Sequence, residues 1–467
     1  DIAYFTPPPL PDDQNFLMTP LLRPLFDYKY DPRIGELVYR DRNPAVKKIS
    51  VYVEEPQSED ENAKRRNQGF ANYVYESSKK KPTSIEAAMP FDKGGWQTGV
   101  FRDLKKWQTY YRIALPSITH PQDPAEDVLA SLGRFDDTYL KLREDAKTHP
   151  LSRFPRPYTL KLEEAVGDIA YESRMQEIVR VVALRAVAEL RLNHPDEALA
   201  DLQFGFRLVE AIKSETLLMP NLIAGSLVAV LTQPVWEGIA AHRWNDAQLD
   251  TIQAMFQKLD RLSDWNHCLH SELAWTAVKN DNIAAYPGYL AYPHVYSRLA
   301  DEAALCLLVL VKFTPGLVCQ NQIAVCRTIY DKILPLVDAK SQRIDMARLA
   351  TEQEAANTGN RFRPYIILSK MAVPVYLTVL KKDAQSQTYI NQIVIACAIE
   401  RYYLVHYALP ATLDDLHMAN LPHDIINGQP LHYRATGTDN YILYSVGWNG
   451  TDEGGKIGKT ESGSLDL

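Results

Sequence analysis

The chain has 467 residues, 46% hydrophobic and 23% charged, with a formal net charge of −7. That composition is ordinary for a soluble globular protein, and the length suits two or three domains. The acidic balance, with Lys79-Lys80-Lys81 no more than a short cationic run, argues against nucleic acid as a partner.

The chain opens at Asp1 rather than Met, which reads as a processed or trimmed N-terminus. Residues 1–32 are dense in proline and favour an extended arm, pinned by Phe16, Leu21, Leu22 and Phe26. Lys48 to Glu54 alternates like one short strand, and Pro56 to Gln68 reads as a polar loop. Trp96, Trp107, Tyr110 and Tyr111 mark an aromatic core cluster, with Asp103 as the cap of the helix carrying the last three. Val128, Leu132, Phe135, Tyr139 and Leu142 predict one further helix. Ser152 to Tyr158 is a proline-broken connector and a domain boundary.

From Arg174 to Leu192, Met175, Ile178, Val179, Val182, Ala186 and Leu190 recur three and four residues apart, on one helical stripe. Asn193-His194-Pro195-Asp196 breaks the pattern, because Pro195 suits only a first turn. Leu199, Leu202, Phe206 and Val209 then form a second stripe, and so short a break returns the helix antiparallel. This pair resembles one tetratricopeptide unit: Ala183, Ala188, Ala198 and Phe206 serve close packing, and Asn193 stands where that repeat has glycine. No second copy follows at a fixed spacing. Leu217 to Trp244 is apolar and holds Pro234, which predicts a kink or break near Gln233. Asn245 or Asp246 caps a helix ending near Leu262. Such an array offers a concave face for a protein or peptide partner.

No apolar run reaches the roughly 18 to 20 residues of a membrane helix; Ala304 to Val311 comes nearest. The five cysteines (Cys268, Cys306, Cys319, Cys326 and Cys397) lack metal or redox spacing and read as small buried hydrophobes. Ile390, Val394, Ile395, Cys397, Ile399, Tyr402 and Val405 build a helix that Pro410 ends. Thr412 caps a short helix to Leu416. Asn427-Gly428-Gln429-Pro430 is a turn needing a positive φ at Gly428. Leu431 to Arg434 and Tyr441 to Val446 read as paired strands.

Two resemblances follow. Glu400-Arg401-Tyr402, Leu409-Pro410 with Leu413 and Leu416, Leu421-Pro422-His423-Asp424 and Tyr441 to Gly450 resemble, in order, the soluble part of type II secretion major pseudopilins. Over nearly its whole length the chain resembles a bacterial family of large envelope-anchored proteins without an assigned reaction, through Pro7 to Phe16, Leu421 to Arg434 and Tyr444 to Asn449. The second resemblance implies a membrane anchor preceding Asp1 and a periplasmic location. The first implies calcium on the loop after the last strand, with Asn449, Thr451, Asp452, Glu453 and Asp466 as oxygen donors.

The expected architecture is mainly α: a Pro-rich arm and mixed region over 1–157, a TPR-like helical array over 158–385, and a small α+β pseudopilin-like module over 386–467. His267-Cys268-Leu269-His270 with Glu272 lacks a third metal ligand at recognisable spacing. Ser445 lies outside any nucleophile elbow. The expected function is a non-catalytic envelope scaffold or binding protein. The alternatives are a hydrolase whose site assembles only in the fold, and a subunit of a secretion- or pilus-like assembly.

Overall fold

The computed structural model describes residues 10–23, 28–31, 36–39, 94–114, 121–154, 169–285, 315–358 and 364–456. The expected strand at 48–54, the polar loop at 56–68, Phe26, the apolar run at 304–311, Cys306 and Asp466 lie outside those residues.

The N-terminal arm is pinned by its apolar residues, with Phe16, Leu17 and Leu22 fully buried. Asn15 ties its backbone to a distant segment. The Asn15 amide donates to the Arg153 carbonyl at 2.7 Å, and its Oδ1 accepts the Arg153 N–H at 3.0 Å. A buried backbone needs such partners where no helix or strand supplies them. Strands β1 (Tyr28–Asp31) and β2 (Glu36–Tyr39) pair antiparallel.

Helices α1 (Leu104–Ala114), α2 (Pro124–Gly133) and α3 (Asp136–Thr148) follow. Asp103 accepts the Lys105 N–H at 3.0 Å at the start of α1. Trp107, Tyr110 and Tyr111 stack in the core, but Trp96 packs elsewhere. The single helix expected across Val128–Leu142 is two. Gly133 ends α2, and Asp136 and Asp137 place their charges in the first turn of α3, where the helix dipole favours them.

The array consists of α4 (Ile169–Arg191), α5 (Pro195–Lys213), α6 (Leu218–Ala240), α7 (Asp246–Gln257) and α8 (Arg261–Ala285). The predicted stripe from Met175 to Leu190 is buried, as are Ala183, Ala188, Ala198 and Phe206. Asn193 takes a left-handed φ of 63°, a conformation its short polar side chain tolerates. Helices α4 and α5 pack on each other and both pack on α6. At the α5–α6 crossing a Cβ on Gly205 would stand 2.6 Å from a Leu231 methyl carbon, so the close approach requires glycine.

Helix α6 bears on two expectations, and of the kink or break near Gln233 it excludes the break. It runs unbroken through Pro234. Leu231, Val235 and Ile239 are buried on both sides of the proline, and that packing outweighs the local cost of about 3 kcal/mol. It is also long and apolar enough, by length and composition, to cross a membrane. Here 67% of its most apolar window is buried inside the protein, and it serves as the central core helix.

Asn245 and Gln248 form a reciprocal capping box at the start of α7. That helix ends at Gln257 rather than near Leu262, because Asp260 accepts the Ser263 N–H at 2.9 Å and starts α8.

After α9 (Pro315–Thr328) and a wide turn over Ile329–Ile333 come β3 (Val337–Asp338), β4 (Arg343–Ile344), α10 (Met346–Thr358) and α11 (Ile367–His406). Helix α11 has 40 residues and continues through Pro374, so the expected domain boundary between 385 and 386 falls in its interior. Its Leu377 and Leu380 join one apolar cluster, its Ile390, Ile393 and Val394 a second, and its Ile395 and Ile399 a third. Thr412 and Asp415 form a capping box, and Gly428 takes a φ of 72°. Strands β5 (His432–Ala435) and β6 (Tyr441–Tyr444) pair antiparallel, with His432 opposite Tyr444 and Ala435 opposite Tyr441. The chain is thus mainly helical, with short two-stranded pairs among the described residues.

Candidate functional site

A cavity of about 430 Å³ opens where the array, α11 and the β5–β6 hairpin meet. Four stretches distant in sequence build its walls. Helix α11 contributes Tyr389, Gln392, Ile393, Ala396 and Glu400, whose spacing of three and four residues aligns them on one face. The end of α6 contributes Trp236, Ile239, Ala240 and, just beyond the helix, His242. The hairpin contributes a continuous run from Asp439 to Asn449, then Thr451, Glu453, Gly455 and Lys456.

The fourth wall is the turn that carries Trp96, and Gln233 on α6 holds it in place. Gln233 Oε1 accepts the Trp96 N–H at 2.9 Å. Its amide donates to the Val100 carbonyl at 3.1 Å and to Glu237 Oε1 at 2.8 Å. Glu237 in turn accepts the Arg102 N–H at 2.9 Å and the Arg191 guanidinium at 3.1 Å. So anchored, the Trp96 ring meets Tyr389 edge-on at 4.9 Å.

The walls are therefore aromatic, with polar groups set between them. His242 has a φ of 49° at the end of α6. Its Nδ1 lies 2.8 Å from Glu400 Oε1, and its ring stacks on Tyr403 at 4.8 Å. Burial pushes the Glu400 carboxyl above the usual glutamate range, while the hydrogen bond and charge of His242 pull it back. Two polar atoms of lining residues are buried with no partner: Trp96 Nε1, a donor, and Gln392 Oε1, an acceptor. Each such orphan costs about 1–3 kcal/mol relative to a satisfied group.

The buried core of the hairpin side is set by Asp424. Its two oxygens accept the Ile426 and Val446 N–H groups, each at 2.9 Å, which fastens the 421–430 turn to the end of β6. Tyr433 donates to the Pro410 carbonyl at 2.9 Å.

The loop expected to take calcium adjoins the cavity. Asn449 Oδ1 accepts the Thr451 N–H at 3.0 Å, and the Asn449 amide donates to Glu453 at 3.1 Å. Asp452 Oδ1 accepts from the Tyr444 hydroxyl at 2.9 Å and from the Gly454 N–H at 2.8 Å, and its other oxygen lies 3.4 Å from His432. Donation from Gly454, then from Tyr444, holds the Asp452 carboxyl below the usual aspartate range. Gly450, Gly454 and Gly455 all take positive φ, which reorients their carbonyls. A calcium ion wants six to eight oxygens, so binding there requires Asp452 to exchange its proton donors for the ion. Among the described residues no three His, Cys, Asp or Glu side chains converge as a metal site.

The His267-Cys268-Leu269-His270 segment lies on α8. Cys268 is buried, burial lowers the proton affinity of His267, and Glu272 accepts the Leu218 N–H at 3.1 Å. Cys397 is likewise a buried small hydrophobe; Cys319, against expectation, is exposed.

The sequence reading missed Trp96, Trp236, Tyr389, Gln392 and His242 as a group. The one linear signal was the stripe Tyr389–Gln392–Ala396–Glu400, which sets Gln392 and Glu400 among the apolar residues of 389–399.

No family model matches the chain, and no curated protein or solved structure matches it either.

Proposed function

We propose that this chain is a non-catalytic binding protein of the bacterial envelope that receives a protein or peptide partner. The observation that carries the reading is the aromatic cavity between the array and the hairpin. Its walls offer large, rigid contact area with a few fixed polar groups, the usual composition of a recognition site. Its titratable pair is spent on structure: Glu400 holds His242 across the α6–α11 joint. Among the described residues no hydroxyl or thiol is hydrogen-bonded to the His242 ring, so the nucleophile–base contact of a hydrolase is lacking there.

The stacked helices α4–α7 support a TPR-like scaffold, and the envelope location follows from the resemblance of Pro7 to Phe16 and Leu421 to Arg434. Calcium on the 449–453 loop is a second reading, supported by the three positive-φ glycines beside Asp452 and Glu453.

The test is chemical cross-linking in the native membrane followed by affinity purification and quantitative mass spectrometry. A stoichiometric, reproducible partner is the expected result. Substrate turnover by the purified chain, with no partner at stoichiometric yield, would overturn the reading in favour of the enzyme.

A further inference from the structure

We propose that the outer edge of β6 docks an extended, basic peptide segment of another protein. The segment pairs there as a third strand and lays one large apolar side chain into the aromatic cavity. This rests on the reading of the chain as a binding protein.

The backbone supplies the first argument. The Thr436 N–H donates to the Asn440 carbonyl at 2.7 Å, so these two form a hydrogen-bonded pair. In an antiparallel ladder such pairs recur at every second residue. The register therefore bonds Ile442 to Arg434 and Tyr444 to His432. Tyr441 and Leu443, in between, turn their N–H and C=O groups away from β5. Gln392 Nε2 reaches the Leu443 carbonyl at 3.5 Å, the far limit of a hydrogen bond. Among the described residues β6 has no strand on that side. An open edge of this kind pairs readily with a strand of another chain.

The cavity supplies the second argument, because residues 441–444 line it along their whole length. Trp236 and Trp448 give it apolar wall. Among its lining residues Trp96 Nε1 and Gln392 Oε1, one donor and one acceptor, are buried without a partner. Four residues of β6 span about 13 Å, and a cavity of about 430 Å³ beside them suits a large side chain with its backbone neighbours.

Charge supplies the third. Asp439 and Glu453 line the cavity against the single Lys456, and the chain carries a net charge of −7. Lys or Arg in the docked segment complements that field.

The probe is a phage-displayed library of random dodecapeptides, panned on the full chain, with an enriched peptide then titrated by calorimetry. The expected sequences pair large apolar residues at alternate positions with Lys or Arg. On saturation, hydrogen exchange read residue by residue slows at Tyr441 and Leu443 by about tenfold or more, while Ile442 and Tyr444, already bonded to β5, stay unchanged. Ala240→Trp, which fills the cavity from an exposed wall position, weakens the peptide about tenfold or more with the same melting temperature. Glu453→Lys weakens a basic peptide and leaves a neutral variant of it unaffected.

A peptide that binds without slowing Tyr441 and Leu443, or that ignores Ala240→Trp, binds elsewhere: the docking edge is then wrong while the binding-protein reading stands. A glycan array ligand or a second copy of the chain that protects the cavity in the peptide's place also overturns the proposal. Failure to enrich any peptide overturns it too, and the broader reading then answers to its own cross-linking result.

Discussion

Helix α11 is joined to the helical array twice, and the two joints are built in opposite ways. At Asp383 the joint is sealed. Arg261, fully buried, holds the Asp383 carboxylate, and the Asn221 amide donates to its other oxygen at 2.8 Å. The same guanidinium donates to the Asn221 carbonyl at 2.6 Å, and the Arg261 N–H reaches Gln387 at 2.8 Å. At Glu400 the joint is open. His242 is 36% exposed, borders the cavity, and has unpartnered Gln392 Oε1 on the same helix wall. The contrast teaches where the molecule spends its buried charge. A charge pair sealed in apolar surroundings brings little net stability but penalises every other packing of those helices. A pair at a cavity mouth keeps its neighbours free to meet a ligand.

The strongest way to break this comparison is Asp383→Ala, which removes the buried carboxylate of Arg261 and leaves it only the part-exposed Asp264 at 3.1 Å and the Asn221 carbonyl. Urea unfolding is expected to show a loss of about 3–5 kcal/mol. A loss under about 1 kcal/mol would mean that water reaches the joint.

Asp201, at 1% exposure, asks whether other sealed carboxylates behave alike. Tyr139 donates to it at 2.7 Å and Arg143 at 3.1 Å. Burial nonetheless pushes its carboxyl up to about 6, against the pull of Arg185, Tyr139 and Arg143. A carboxyl raised in the fold keeps a proton that the unfolded chain has already lost. Its contribution is full below the unfolded value of about 3.9 and is lost as pH rises through about 6. Wild type should therefore lose on the order of 2 kcal/mol relative to Asp201→Asn between pH of about 4 and about 7. The opposite trend would show that the arginines prevail over burial.

At the open joint His242→Ala should cost about 1–2 kcal/mol, because the buried Glu400 loses its partner while the part-exposed His242 side admits water to the gap. A cost near that of Asp383→Ala would erase the distinction between the joints. The smallest effect belongs to the adjoining loop. Millimolar calcium should raise the melting temperature by about 1 °C over EGTA, as a weak site does in a large chain. The rise should vanish in Asp452→Asn, and equal melting temperatures in wild type would remove the ion from the loop.

Local features were legible because their causes are local. Pro195 at a first turn, the caps Asn245 and Thr412 and the positive φ of Gly428 each depend on a few neighbouring residues. The misjudged elements are those where tertiary packing overrules a local signal. Pro234 sits inside a continuous helix, while the apolar pattern from Val128 to Leu142 hides a break after Gly133. The cavity was illegible for a different reason. Trp96, Trp236 and Tyr389 are each unremarkable in sequence, and only the turn held by Gln233, 137 residues from Trp96, brings them together. Likewise Arg261 and Asp383 stand 122 residues apart.

The continuity of α11 bears on how such a chain is inherited. A helix of 40 residues is about 60 Å long, and here it is shared property of both ends of the protein. A gene fusion cut at residue 386 would carry the hairpin away with half a helix, its Ile390–Val394 stripe uncovered, and would leave Arg261 and Asp383 behind on a stump. A C-terminal segment moved to another chain must therefore take the whole rod with it to keep its apolar stripes covered.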